Sequence, residues 1–233
     1  KPYINIIFKQ LLNGLKLLHD NNIIHRDIKI DNITLIKLSN NKIIIKYIDF
    51  NASIINKDIS KISLIGNYSY NISLYYLIFF YLNVLINIKK NKFNLKLINI
   101  ISKLCNKNVI NNIETLNNIN ISFTSIIDLN KELHITDKLN YKNSNNNNRF
   151  NKLIKSVYKQ FNSKPSVLQY FKNELAFKND IYGLGIVFNI IINIYNIKNK
   201  HIDILIKNMV NINPNKTYNI NQCIEYFNNY IAD

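Results

Sequence analysis

Four polar side chains near the start of the chain have the residue types and spacing that phosphoryl transfer requires. Asp27, Lys29 and Asn32 lie within one short segment, and Asp49 follows after two apolar runs. Carboxylate and amide oxygens are the hard ligands that Mg²⁺ prefers, and a carboxylate can also orient a hydroxyl and accept its proton. A lysine can stabilise a transferring phosphoryl group as a point charge. The cluster therefore indicates a site for a magnesium-bound nucleotide.

A helix precedes this cluster and a hairpin follows it. Residues 3–19 place apolar side chains at helical spacing, which predicts an amphipathic helix. The apolar runs 33–38 and 43–48 are separated by the polar segment 39–42, which predicts a small β-hairpin that delivers the chain to Asp49. These elements would position the polar cluster.

Two long uncharged stretches predict further buried structure. Residues 180–197 carry no charged side chain after Asp180. They include Gly183 and Gly185, which allow close packing, and their all-round apolarity predicts a helix buried on every side. Residues 62–88 also lack charged side chains. Within them, 70–88 is a candidate membrane span, but asparagine and serine interrupt it, so the sequence favours a buried helix there.

The composition limits the classes of partner. The chain has 233 residues, of which 47 are Ile and 46 are Asn, and its net charge is +16. This bias is typical of AT-rich coding DNA, and the lysines are spread along the chain, so we expect no nucleic-acid partner. Cys105 and Cys223 provide neither a disulfide framework nor metal-ligand spacing. A reduced, intracellular and cytoplasmic setting is therefore expected.

Several segments resemble one known family. HRDIKIDN at 25–32 and IDFNAS at 48–53 resemble the catalytic loop and the metal-binding motif of eukaryotic-type serine/threonine protein kinases. NDIYGLGIVF at 179–188 resembles the central buried helix of that family, and 209–227 resembles its closing helices. The resemblance implies an α+β, mostly α fold, namely a protein-kinase-like C-terminal lobe with a small β-hairpin at the catalytic loop.

The resemblance also implies a role for each residue of the cluster. Asp27 would be the catalytic base, and Lys29 would contact the phosphates of ATP. Asn32 and Asp49 would be the Mg²⁺ ligands. The implied reaction transfers the γ-phosphate of ATP to a Ser or Thr hydroxyl of a protein substrate.

Four further residues would support this site by the same resemblance. His25 and Phe50 would stack in a hydrophobic column that couples the loop to the metal site. Asp180 would accept backbone N–H groups of the catalytic loop. Arg26 would either bind a phosphorylated activation segment or donate to neighbouring carbonyl oxygens, and the sequence leaves these two alternatives open.

The resemblance covers about 1–75 and 165–233. It therefore predicts a C-terminal lobe alone, with the N-terminal lobe expected upstream of Lys1. Residues 76–164 are predicted to be a large helical and loop insertion between the activation segment and the central helix. The Asn-rich tract 143–148 within it is predicted to be a disordered loop.

Three departures from the family pattern bear on activity. Asn51 stands in place of a glycine, and Asn67 in place of a threonine. The glutamate–arginine ion pair of the family is missing, with Thr217 at the arginine position. These changes favour one alternative to a protein kinase, a pseudokinase that acts as a scaffold. A second alternative is a small-molecule kinase of the aminoglycoside or choline type, because that family shares the H-x-D-x-x-x-x-N pattern followed by Ile-Asp-Phe.

Overall fold

Four α-helices, two short 3₁₀ turns (Ile30–Asn32 and Phe50–Ala52) and two small two-stranded sheets make up the part of the chain that the structure describes. It is a computed structural model, and it describes residues 2–39, 42–55, 174–211 and 215–232, all of which belong to one compact unit. This mixture of helices with small sheets agrees with the predicted α+β class. The elements are α1 Pro2–Asp20, β1 Ile23–Ile24, β2 Ile33–Lys37, β3 Ile43–Tyr47, β4 Ile54–Ile55, α2 Ala176–Ile194, α3 Lys200–Met209 and α4 Ile220–Tyr230.

The apolar stripe of α1 forms one side of the core. Phe8, Leu11, Leu12 and Leu15 recur at helical spacing, and each is at most 1% exposed. The ring of Phe8 stacks on that of Phe188 in α2, with centroids 3.8 Å apart and planes 2° apart. The predicted helix over 3–19 is therefore confirmed, and its buried stripe packs against α2.

Helix α2 is the most deeply buried element of the described residues. Its side chains are almost completely enclosed up to Ile192. The prediction of a buried helix over 180–197 is wrong at its carboxyl end, because Ile194 and Tyr195 are 63% and 66% exposed. Asn196 has a left-handed backbone with φ 47°, a conformation that ends helices and that asparagine tolerates.

Gly185 allows α2 to approach the end of α3. A Cβ atom at this position would lie 2.8 Å from Cβ of Met209 and 2.7 Å from Cγ1 of Val210. Both distances are shorter than a carbon–carbon contact allows. The close packing expected at Gly185 is therefore present.

The hairpin predicted between residues 33 and 48 is formed by β2 and β3. The strands pair antiparallel, with Ile33 opposite Tyr47. The side-chain amide of Gln10 covers the other edge of β3, donating to Ile43 O and accepting from Ile45 N, both at 2.8 Å. Helix α1 thereby satisfies strand groups that would otherwise be left open.

A second ladder ties the segment before the polar cluster to the segment after it. Strand β1 pairs antiparallel with β4, with Ile23 opposite Ile55 and Ile24 opposite Ile54. The apolar pair at 23–24 was evident from the sequence, but its partner strand β4 was not.

Some predictions fall on other parts of the chain. The candidate span 70–88, the insertion 76–164 and the tract 143–148 lie outside the described residues, as does Asn67. Within the described residues, no helix combines the length and the apolar character needed to cross a membrane.

Candidate active site

A buried carboxylate from α2 holds the start of the 25–32 loop. Asp180 is 1% exposed, and its two oxygens accept two consecutive backbone N–H groups. Oδ2 accepts from His25 N at 2.7 Å, and Oδ1 accepts from Arg26 N at 2.8 Å. Arg26 has φ 70°, a conformation that costs a non-glycine residue about 1–2 kcal/mol. We call this pair of hydrogen bonds the Asp180 clamp, and it stabilises the strained turn.

The ring of His25 connects the loop to the end of β3. Its Nδ1 accepts from the backbone N–H of Asp27 at 3.4 Å, and its Nε2 lies 3.2 Å from the carbonyl oxygen of Ile48. A backbone N–H can only donate and a carbonyl can only accept, so the ring carries its proton on Nε2. Phe50 contacts the same ring with centroids 4.8 Å apart, although its own side chain is 45% exposed.

Hydrogen bonds join Asp27, Lys29 and Asn32 into one cluster. The Lys29 ammonium lies 2.7 Å from Asp27 Oδ2, and Asn32 Nδ2 donates to the same oxygen at 2.9 Å. Asn32 Nδ2 also donates to the backbone carbonyl of Asp27 at 2.8 Å. Both partners of the amide nitrogen are acceptors, so the Asn32 Oδ1 atom is identified as the carbonyl oxygen. Asn32 is 5% exposed, whereas the side chains of Asp27 and Lys29 are 23% and 27% exposed.

Asp49 is brought beside this cluster by the backbone. The N–H of Ile48 donates to the carbonyl oxygen of Asn32 at 2.9 Å. Asp49 is exposed, with a left-handed backbone at φ 61°, and its Oδ1 accepts from Asn51 N at 3.4 Å. Strained non-glycine residues of this kind cluster at functional sites. The catalytic and metal-binding roles of these residues stay predictions.

Asn32 of the cluster and the neighbouring Asp49 have side chains that fit a magnesium ion. One offers an amide oxygen and the other a carboxylate, and Mg²⁺ usually takes one or two protein ligands together with phosphates and waters. Among the described residues, no group of three or more His, Cys, Asp or Glu side chains could hold a metal. One amide oxygen and one carboxylate are a donor set that fits a Mg²⁺ held mainly by the phosphates of a substrate.

Arg26 contacts the segment that follows Asp49. Its Nη1 donates to the carbonyl oxygen of Ala52 at 3.2 Å, and Ser53 Oγ donates to His25 O at 3.1 Å. This geometry matches the alternative in which Arg26 donates to a neighbouring carbonyl oxygen. Phosphate-dependent control stays a prediction.

Two of the departures from the family pattern have a local explanation. Asn51 lies in a 3₁₀ turn and is absent from the described residues with positive φ, so this backbone does not require glycine there. Thr217 is 6% exposed, and its hydroxyl donates to Asn211 O at 3.0 Å. Asparagine and threonine are both uncharged, so neither replacement buries an unpaired charge at its position.

Sequence reasoning missed two residues that contact this site. His19, at the end of α1, places Nε2 3.4 Å from Asp180 Oδ2. Tyr47 donates its hydroxyl to Leu11 O at 2.8 Å, and its pKa is raised by burial and secondarily by the nearby charge of Asp180. Neither stood out in the sequence, because each contact joins separate elements and depends on tertiary packing.

The first third of the chain is similar to one family of known proteins. The model of the protein kinase domain matches residues 2–78. A 47-residue segment is 47% identical to calcium-dependent protein kinase 4 of Plasmodium falciparum, and a 47-residue segment is 49% identical to serine/threonine-protein kinase PRR2 of Saccharomyces cerevisiae. A 29-residue segment is 72% identical to the DNA damage response protein kinase DUN1 of the same yeast.

These similarities are short. They cover 20%, 20% and 12% of this chain and 9%, 6% and 6% of the respective relatives, so the chain matches less than a tenth of the length of each. No solved structure matches the chain significantly. The resemblance of the 25–32 and 48–53 motifs is nevertheless confirmed, and the chain carries a protein-kinase-like domain of the eukaryotic serine/threonine type.

Proposed function

We propose that this chain supplies the C-terminal lobe of a protein serine/threonine kinase that transfers the γ-phosphate of Mg²⁺-bound ATP to a protein hydroxyl. The observation that carries the proposal is the position of the Asp27 carboxylate. One of its oxygens accepts from both Lys29 and Asn32, while the Asp180 clamp fixes the preceding turn. A base, a cation and an amide are thereby held together at a partly open position, as phosphoryl transfer requires.

Each residue of the cluster has a distinct task in this reaction. The Asp27 carboxylate orients the substrate hydroxyl and accepts its proton as the new O–P bond forms. Lys29, at 2.7 Å from Asp27, presents a positive charge to the transferring phosphoryl group. Asn32 and Asp49 would hold Mg²⁺, which when bound neutralises charge on the phosphates.

The Asp180 clamp also supports the proposed domain organisation. Asp180 bonds to His25 and Arg26 across more than 150 residues of sequence. We infer that residues 76–164 are an insertion within one domain, since the segments on either side contribute to one site.

The geometry favours a protein kinase over the two alternatives. Asn51 has no positive φ, so the missing glycine does not support a scaffold without activity. Small-molecule kinases require neither Lys29 nor Asp180. Here Lys29 contacts the Asp27 carboxylate, and Asp180 accepts from the backbone of the 25–32 loop. Whether the substrate is a protein is decided by assay.

The test compares carboxylate variants of the full-length protein. Asp27→Asn removes the base, and Asp49→Ala removes a metal ligand. We expect each to reduce phosphate transfer from ATP to a generic basic protein by roughly 10²-fold or more. Asp31→Asn is the matched control, because Asp31 lies in the same loop with an exposed side chain, and it should retain normal transfer. Undiminished transfer in both site variants would show that the assignment is wrong.

A further inference from the structure

His19 is a buried histidine to which the proposed reaction gives no role. It lies in the last turn of α1, and its side chain is 6% exposed. Its ring packs edge-on against Phe177 of α2, with centroids 4.9 Å apart and planes at 76°. The Nε2 atom is 3.4 Å from Oδ2 of Asp180. The histidine thus connects α1 to the residue that clamps the 25–32 loop.

The chemistry of the contact fixes which group donates. An ionised carboxylate can only accept, so the His19 Nε2 atom must carry a proton and donate to Asp180. Asp180 then accepts three N–H groups, from His25 and Arg26 at 2.7 and 2.8 Å and from His19 at 3.4 Å. A buried carboxylate is stable only when its acceptor positions are used, so each donor restricts how this one can rotate.

We propose that His19 is a positioning residue that fixes the rotation of the Asp180 carboxylate and thereby holds the His25–Arg26 turn. The two backbone bonds require one oxygen to face each N–H. Arg26 has a left-handed backbone that needs this support, and the carboxylate of Asp27 follows directly. Loss of the His19 donor would let the carboxylate rotate and the turn relax. The effect on catalysis rests on the proposed function, whereas the effect on the turn does not.

The experiment separates the donor from the bulk of the side chain. In the full-length protein, His19→Leu fills the same space with an apolar side chain and removes the donor. His19→Gln keeps an N–H donor near the position of Nε2. His201→Gln is the matched control, because His201 is exposed on α3 and its ring stacks on Tyr230, away from the clamp.

Two measurements are made on these variants. Amide hydrogen exchange measures the exchange rates of the His25 and Arg26 N–H groups, and each rate is expressed relative to the rates of the α4 amides. We expect exchange at these two amides to be at least about 10-fold faster in His19→Leu and close to wild type in His19→Gln. We also expect His19→Leu to lower kcat by about 10-fold to 100-fold with little change in KM for ATP. His19→Gln should retain most of the wild-type kcat.

Each outcome decides one question. Unchanged relative exchange at His25 and Arg26 in His19→Leu overturns the inference, whatever the activity. Equal acceleration in His19→Leu and His19→Gln also overturns it, because the bulk of the ring and not the donor would then matter. Faster exchange with rescue by glutamine, in a protein that transfers no phosphate, supports the inference and refutes the proposed function.

Discussion

Replacing Asp180 with asparagine tests whether the clamp stabilises the fold as the geometry indicates. An asparagine has one acceptor oxygen where aspartate has two. If that oxygen keeps the bond to His25 N, the amide NH₂ group faces the N–H of Arg26, and two donors then oppose each other. The opposite rotamer keeps the bond to Arg26 and loses the one to the buried His25 N. In either rotamer at least one charge-assisted hydrogen bond is lost and at least one N–H is left unsatisfied.

The magnitude follows from these two losses. A hydrogen bond to a charged group contributes about 1.5–3 kcal/mol, and a buried donor without a partner costs about 1–3 kcal/mol. Because the two values describe the same lost bond and overlap, Asp180→Asn is predicted to lower the free energy of unfolding by about 3 kcal/mol, a large part of the 5–15 kcal/mol typical of a domain.

Urea unfolding followed by circular dichroism measures this loss, with Glu225→Gln as the control. Glu225 lies in the middle of α4 with an exposed side chain, so the same change of charge there should alter the free energy of unfolding by no more than about 0.5 kcal/mol. A loss below about 1 kcal/mol in Asp180→Asn, similar to that of the control, would refute the argument from the clamp.

Two further substitutions test the packing around the site. Gly185→Ala should lower the melting temperature, because the added Cβ would lie 2.7–2.8 Å from Val210 and Met209. The cost of overpacking, roughly 1–3 kcal/mol, exceeds the gain in helix propensity of about 1 kcal/mol. An unchanged or raised melting temperature would contradict this prediction. Tyr47→Phe removes the bond to Leu11 O and should cost about 1 kcal/mol at neutral pH. Burial raises the pKa of Tyr47 in the folded state. The stabilising contribution of the protonated Tyr47 hydroxyl is therefore complete below the unfolded-state pKa of about 10, and it is lost as pH rises from there through the folded-state pKa. Urea unfolding at neutral and alkaline pH should therefore show that the free energy of unfolding falls less at alkaline pH in Tyr47→Phe than in wild type. Equal decreases in the two proteins would contradict a contribution from the Tyr47 hydroxyl.

Local patterns were sufficient to predict the elements that carry the site. The apolar spacing in 3–19 identified α1, and the runs 33–38 and 43–48 identified the strands of the hairpin. Each depends on neighbouring residues only, since a buried stripe or an alternating run arises within one element. The prediction for the carboxyl end of α2 was wrong for a related reason. The largely apolar pattern continues to the end of 180–197, and this pattern does not show where the helix reaches the protein surface.

The contacts that organise the site could not be derived from spacing. Asp180 meets His25 across 155 residues of sequence, and only the family resemblance suggested that they interact. His19 and Tyr47 were missed because a histidine or a tyrosine among apolar residues is more often an ordinary core residue. The left-handed backbone at Asp49 was also unforeseen, since asparagine and glycine are the usual signals for that conformation.

The bias of the composition toward isoleucine and asparagine is compatible with an intact site because the two depend on different physical requirements. A core accepts many apolar side chains of suitable volume, so abundant isoleucine can fill it. The site instead needs particular donors and acceptors in fixed directions, and asparagine supplies only some of them. At Asn51 the backbone has no positive φ, so replacement of a glycine there removes nothing that the turn needs. At Asp180 either rotamer of an amide would turn a donor toward a backbone N–H that already donates there, so asparagine should not be tolerated at this position. At Asp27 an amide would remove the negative charge that the Lys29 ammonium contacts.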